Sequence, residues 1–197
     1  MFTGIVEAVG EVRDARDADG RRRLVIAAPT VTEGMEVGDS IAVNGVCLTA
    51  VEVGEGSVAV EAVHETLQRS NLGEAGVGTR VDLERPMPAH GRFDGHVVQG
   101  HVDGTGVVRS TTEDGASRRY WFDTDGGLLR YLVEKGSVTV DGVSLTVSDL
   151  DDDGFEVVLI PHTLEVTVLG DRNPGDRVNL EVDVLAKYVE RLLEART

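Results

Sequence analysis

The chain has 197 residues, 41% of them hydrophobic, with 35 acidic against 19 basic side chains and a formal charge of −16. So acidic a surface argues against a nucleic-acid partner, which needs a basic face, and a single cysteine excludes an intrachain disulfide or a multi-cysteine metal site. No apolar run reaches the length of a membrane span, and the opening MFTGIVEAVG lacks the basic-then-apolar order of a signal peptide, so a soluble, cytoplasmic protein is expected. Only Lys135 and Lys187 are lysines; surplus carboxylates with Arg in place of Lys fit a high-salt, halophilic cytoplasm, where screening removes the self-repulsion.

In chain order, IVEAVGEV (5–12), RRLVIAA (22–28), DSIAVNGVCLTAVEV (39–53), SVAVEAV (57–63) and RVDLE (80–84) alternate or run apolar between Gly, Asp and Asn turns, as short strands do. The Asn44-Gly45 pair between apolar residues predicts a hairpin turn. HETLQRSNLG (64–73) predicts a short helical turn stopped at Gly73. PMPAHGRF (86–93) is the one Pro-rich joint and reads as a linker.

Beyond it the pattern starts again. GHVDGTGVV from Gly100 matches GIVEAVGEV at a slide of 96, and residues 137 to 181 match 40 to 84 at a slide of 97 without a gap, with sixteen identities in forty-five positions. VNGVCLT (43–49) returns as VDGVSLT (140–146), and HTLEVTVLG supplies the second helical turn, ending at Gly170. The chain is therefore two copies of one fold, and the predicted class is all-β: two tandem, similar six-stranded antiparallel Greek-key-like barrels, residues 1–93 and 94–183. The acidic run around Asp149 to Asp153 lacks the twelve-residue spacing of a calcium loop and reads as a solvated turn. In the tail, residues 184–197, Leu185, Tyr188, Val189, Leu192 and Leu193 recur at helical steps, and that stripe should lie on another subunit or fold back on a barrel.

Positions where the copies differ mark specialisation. Cys47 faces Ser144, Asn44 faces Asp141, Ile5 faces His101 and Gly38 faces Lys135. Each has a plain structural reading beside the chemical one. Cys47 between Val46 and Leu48 suits a small buried hydrophobe as well as a reactive thiol. Asp141 before Gly142 is a favoured turn residue, His101 is a lone imidazole at a strand start, and Lys135 is a surface charge unless it meets a ligand. Ser144 carries no local sign of activation.

Taken together, MFTGIVEAVGEV, NGVCLT, HETLQRSNLG, GHVDGTG, DGVSLTV and IPHTLEVTVLG, in that order, resemble the riboflavin synthases built from two lumazine-binding barrels. The resemblance runs from Met1 to the terminal helix. It implies dismutation of two 6,7-dimethyl-8-ribityllumazine molecules to riboflavin and 5-amino-6-(ribitylamino)uracil, with no metal or external cofactor, in a homotrimer held by its terminal helices. It also leaves room for association with lumazine synthase. Such a reaction uses one compound as donor and acceptor of a four-carbon unit, so a duplicated pocket can hold both. By the resemblance, one pocket uses Gly4, Ile5 and Val6 with Cys47, Leu48 and Thr49 and with Glu61, Ala62, Val63, His64, Glu65 and Thr66. The other uses Gly100, His101 and Val102 with Lys135, with Ser144, Leu145 and Thr146, and with Val158, Leu159, Ile160, Pro161, His162 and Thr163. Phe2, Ser40, Cys47, His101, Asp141 and Ser144 match family positions linked with catalysis. On this reading His101 with Ser144 moves protons, Asp141 orients or tunes one transfer, Cys47 with Ser40 beside it meets the acceptor, and Phe2 covers the site. A non-catalytic lumazine- or flavin-binding relative and a plain assembly scaffold are the competing functions.

Overall fold

The structure, a computed structural model, describes residues 1 to 194. Strands β1 (Ala8–Ala18), β2 (Arg21–Ala27), β3 (Ser40–Val43), β4 (Val46–Gly54), β5 (Ser57–Ala62) and β6 (Arg80–Glu84) close into an antiparallel barrel in the order β1-β2-β5-β4-β3-β6. Strands β7 (Gly104–Asp114), β8 (Ser117–Asp123), β9 (Ser137–Val140), β10 (Val143–Leu150), β11 (Gly154–Leu159) and β12 (Arg177–Val182) repeat that order. Alternation does the sorting: along β2, Leu24 and Ile26 face inward, and along β8, Tyr120 and Phe122 do. Register slips recur at equivalent places, between Val12 and Asp14 and between Val108 and Ser110, and again at Ala50/Glu52 and Val147/Asp149. Such bulges sharpen the local twist that a small closed barrel requires.

Two local expectations change. Residues 5 to 7 do not join the first strand, which begins at Ala8; they leave their own barrel, as described below. Nor does either helical turn stop at a glycine. Helix His64–Arg69 ends at Ser70, which accepts from Leu72 N–H and starts a separate tight turn, Asn71–Glu74; Pro161–Val166 and Val168–Asp171 do the same around Thr167. Gly73 and Gly170 sit inside those tight turns because a Cβ there would press on the carbonyls of Leu67 and Leu164, at 3.1 and 2.0 Å.

The duplicated phrase meets itself between the barrels. Asn44-Gly45 and Asp141-Gly142 form the predicted hairpin turns, with Asn44 and Asp141 at φ 45° and 46°, and the turns abut across a local twofold. A Cβ on Gly45 would lie 2.7 Å from Gly142 N, and one on Gly142 equally near Gly45 N. Around that contact runs a buried polar network. Asn44 Oδ1 accepts from Asp82 N–H and Asp141 Oδ1 from Asn179 N–H, while Asp82 Oδ1 accepts from Val168 N–H and Asn179 Oδ1 from Asn71 N–H.

The terminal helix Val184–Glu194 is tied to the second half by Arg130 and Tyr131 to Glu190 and by Lys187 to Asp103. Leu185, Tyr188, Val189, Leu192 and Leu193 all remain exposed, so the apolar stripe does not fold back on a barrel within the chain. The end of the predicted 184–197 tail, residues 195 to 197, lies outside the described residues.

Candidate active site

Two segments preceding the barrels, residues 2 to 6 and 96 to 102, act as straps that exchange halves. They run antiparallel where Phe2 N–H donates to Val98 C=O at 2.7 Å and Val98 N–H returns to Phe2 C=O at 3.2 Å. Beyond that pairing each lies on the opposite barrel. Gly4 C=O accepts from Ser144 N–H and Gly100 C=O from Cys47 N–H, both at 2.8 Å. Val6 joins the core of the second barrel and Val102 that of the first. The expected pairing of strap and strand is thereby reversed. Gly4, Ile5 and Val6 belong with Ser144, and Gly100, His101 and Val102 belong with Cys47. The slides of 96 and 97 showed that the straps are equivalent without showing which barrel each one touches.

On the first barrel the arrangement forms a cavity of about 210 Å³ walled by Cys47, Glu65, Thr66, Arg69, Gly100, His101 and Val102. Cys47 and Thr49 are two apart on β4 and face outward, and Ser40 lies opposite Thr49 in register, so all three share the outer wall. Leu48, Ala62 and Leu159 are buried with the barrel cores, which leaves their backbones to meet a ligand. Glu61 pairs with Arg21 and Glu65 with Arg69. Val63, His64, Ile160, Pro161 and His162 are exposed around the cradle rims, with Thr66, Val158 and Thr163 half-buried.

The second cradle has a different reactive group. Ser144 Oγ lies 2.7 Å from His96 Nδ1, and His96 Nε2 lies 3.2 Å from Thr139 Oγ1. Thr139 is the register partner of Ser144 across β9 and β10, which puts both under the ring. With Nε2–H donated to Thr139, Nδ1 is free to accept the Ser144 hydroxyl proton. Burial lowers the His96 pKa, against a pull in the other direction from Asp183, which favours the neutral acceptor form. Sequence reasoning missed His96. It lies in the connection between the repeats, where comparing the two copies offers nothing to set beside it, and its only sequence signal is the histidine itself.

One expected site residue lies elsewhere. Asp141 is fully buried at the seam between the barrels, where Arg172 grips its Oδ2 at 2.6 and 3.1 Å and Asn71 Nδ2 and Asn179 N–H donate to its Oδ1. Burial raises its pKa and Arg172 opposes that rise. Both oxygens are committed to holding the halves together, so the structure gives Asp141 a structural place, with its side-chain hydrogen bonds going to Arg172, Asn71 and Asn179. Lys135 stands at the turn before β9, where its N–H donates to Val147 C=O at 2.9 Å beside the second cradle, and its exposed side chain meets Glu134 at 3.5 Å. Phe2, expected as a cover, is instead core: it is fully buried against Ala42, Val98 and Cys47. Removing residues 1 to 4 should therefore cost folding stability.

Two closed barrels, each bearing on its outer wall a polar cradle crossed by a strap from the other half, define a tandem ligand-binding barrel protein. The lumazine binding domain family matches residues 3–86 and again 99–183. The chain is 53% identical over 201 residues to the riboflavin synthase of Mycobacterium tuberculosis (strain ATCC 25618 / H37Rv), covering 99% of both chains. It is 45% identical over 193 residues to that of Actinobacillus pleuropneumoniae, covering 98% of this chain and 90% of the relative. It belongs to the lumazine-binding-domain family of riboflavin synthases. Among solved structures, LumP complexed with 6,7-dimethyl-8-(1'-D-ribityl) lumazine superposes with a TM-score of 0.84 at 24% identity, covering 92% of this chain and 99% of that one. LumP complexed with riboflavin gives 0.85 at 26% identity with the same coverage.

Proposed function

We propose that the chain is a riboflavin synthase that dismutates two 6,7-dimethyl-8-ribityllumazine molecules to riboflavin and 5-amino-6-(ribitylamino)uracil. The observation that carries this reading is one cradle built twice with unlike reactive groups, Cys47 and His101 in one and Ser144 with His96 in the other. A shared scaffold suits a shared ligand, and unlike groups suit a donor and an acceptor.

In the second cradle, Ser144 takes a proton from the acidic C7 methyl of the donor as its own proton passes to His96 Nδ1. His96 thus takes over the role expected of His101. In the first cradle, a nucleophile adds to the already electrophilic C7 of the acceptor, with the Cys47 thiol beside His101 as the candidate and its proton passing to the acceptor ring as C7 becomes tetrahedral. Holding the two planar rings in contact supplies much of the rate, since effective molarities for well-oriented partners reach about 10⁵ M or more.

The two lumazines meet between subunits of a homotrimer, the first barrel of one chain facing the second barrel of its neighbour. The exposed stripe of the terminal helix supports that assembly. Leu192→Arg should release smaller species in sedimentation and abolish turnover, while each chain still binds lumazine. A cytoplasmic site of action, a high-salt setting for the acidic surface and delivery of substrate by lumazine synthase complete the proposal, and co-sedimentation with lumazine synthase tests the last. The deciding assay is incubation with 6,7-dimethyl-8-ribityllumazine, followed by absorbance for riboflavin. Tight binding with no product refutes the enzyme and leaves a binding protein.

A further inference from the structure

Each strap ends its crossing on a carboxylate. Glu84, the last residue of β6, accepts from Thr3 N–H at 2.7 Å, Thr3 Oγ1–H at 3.0 Å and Gly4 N–H at 3.1 Å. Its repeat partner Glu181 in β12 accepts from Gln99 N–H at 2.8 Å, Gly100 N–H at 2.9 Å and His101 N–H at 3.0 Å. Both side chains are buried, and neither forms a direct ion pair among the described residues. A buried carboxylate without a cation partner is an expensive choice. An amide of the same shape would be cheaper, but it has one acceptor oxygen and an NH₂ that cannot face an N–H. Here both oxygens of each acid accept, so the geometry requires the acid.

We propose that Glu84 and Glu181 are positioning residues, each setting one strap over the cradle of the opposite barrel. Glu181 places His101 and the Gly100 carbonyl against Cys47, and Glu84 places Gly4 against Ser144. Beyond the paired, buried Phe2 and Val98 and the packing of Val6 and Val102 on the opposite cores, the straps are held by few backbone bonds. Each one's further backbone bonds to strands are the single bond from Cys47 or Ser144 and the Glu7 or Asp103 bond at the barrel mouth. Loss of the clamp therefore moves the cradle wall before it disturbs the barrel core. The assignment of ligand to these cradles rests on the function proposed above.

The test uses the full chain and the protein's one cysteine as a reporter of the first cradle. Glu181→Gln should keep cooperative unfolding, lose roughly tenfold or more in kcat, as small misplacements of reacting groups do, and need several-fold more 6,7-dimethyl-8-ribityllumazine to protect Cys47 from iodoacetamide, read by mass spectrometry. Glu84→Gln should also lose turnover yet protect Cys47 at the wild-type concentration, because its strap serves the other cradle. Wild-type kcat in both variants, or equal shifts of the Cys47 protection curve in both, overturns the clamp. Should Glu181→Gln not fold, Glu181→Asp, which keeps the charge but withdraws the oxygens, carries the same expectations. If the wild-type chain forms no riboflavin, the proposed function fails, while the protection curves still judge the clamp.

Discussion

Asp82→Asn should stabilise the folded chain, and the gain should grow as pH rises. Asp82 is buried at the seam with its Oδ1 accepting from Val168 N–H, and its Oδ2 is the one buried side-chain oxygen or nitrogen among the described residues without a partner. Its repeat partner Asn179 makes the equivalent Oδ1 contact with Asn71 N–H and also donates from Nδ2 to Asn44 C=O at 2.8 Å. Asp141 is the repeat partner of Asn44, so the Asp141 carbonyl is the counterpart of the group to which Asn179 donates, and an amide at position 82 supplies the donor that Asp82 Oδ2 lacks. Burial drives the Asp82 pKa well above the usual carboxylate value, with the Asp141 charge adding to the rise. As the neutral acid, Asp82 can donate where Asn179 does; as the anion, it cannot. A folded-state pKa above the unfolded one means that the contribution is complete below about pH 4 and is lost as pH rises through the folded value. An Asn has no such loss. An unsatisfied buried group costs about 1–3 kcal/mol, so the variant should match wild type below about pH 4 and exceed it by about 1–3 kcal/mol once pH has passed the folded value. At roughly 2–4 °C per kcal/mol for a chain of this size, melting should rise by about 2–12 °C at the alkaline end. Urea unfolding from about pH 4 to about pH 9 reads it directly, and parallel stability curves for the two proteins would refute the reasoning.

Three further expectations follow from the same geometry. Gly142→Ala should cost about 3 kcal/mol or more, because it adds a Cβ 2.7 Å from Gly45 N at a φ of 88°. Gly20→Ala, at φ 72° with nothing within 4 Å, should cost only about 1–2 kcal/mol, and equal losses in the two variants would show that the turn contact is not tight. Phe2→Ala empties a fully buried site and should destabilise by about 3–5 kcal/mol in denaturant titration; a loss of turnover at unchanged stability would return Phe2 to a covering role. For His96, burial depresses the pKa, so the acid limb of kcat/KM should fall below the ordinary histidine value of about 6.5, activity being lost as His96 gains a proton. His96→Gln should remove that limb, and persistence of the limb would assign it to another group.

The amino-acid sequence alone makes legible whatever rests on contacts near in the chain. Period-two alternation set strands such as β2 and β8, Asn-Gly and Asp-Gly set the two hairpin turns, and the gapless match over forty-five positions established that one barrel is built twice. It also put Cys47 and Ser144 at equivalent places with unlike chemistry. Which strap serves which barrel, the meeting of Ser144 with His96 from 48 residues away, and the commitment of both Asp141 oxygens to the seam emerge from the folded arrangement alone. These are meetings of side chains across a twofold that no local period records. A duplicated sequence specifies two similar surfaces, but hydrogen-bond geometry and burial between them settle whether a differing residue faces ligand or neighbour.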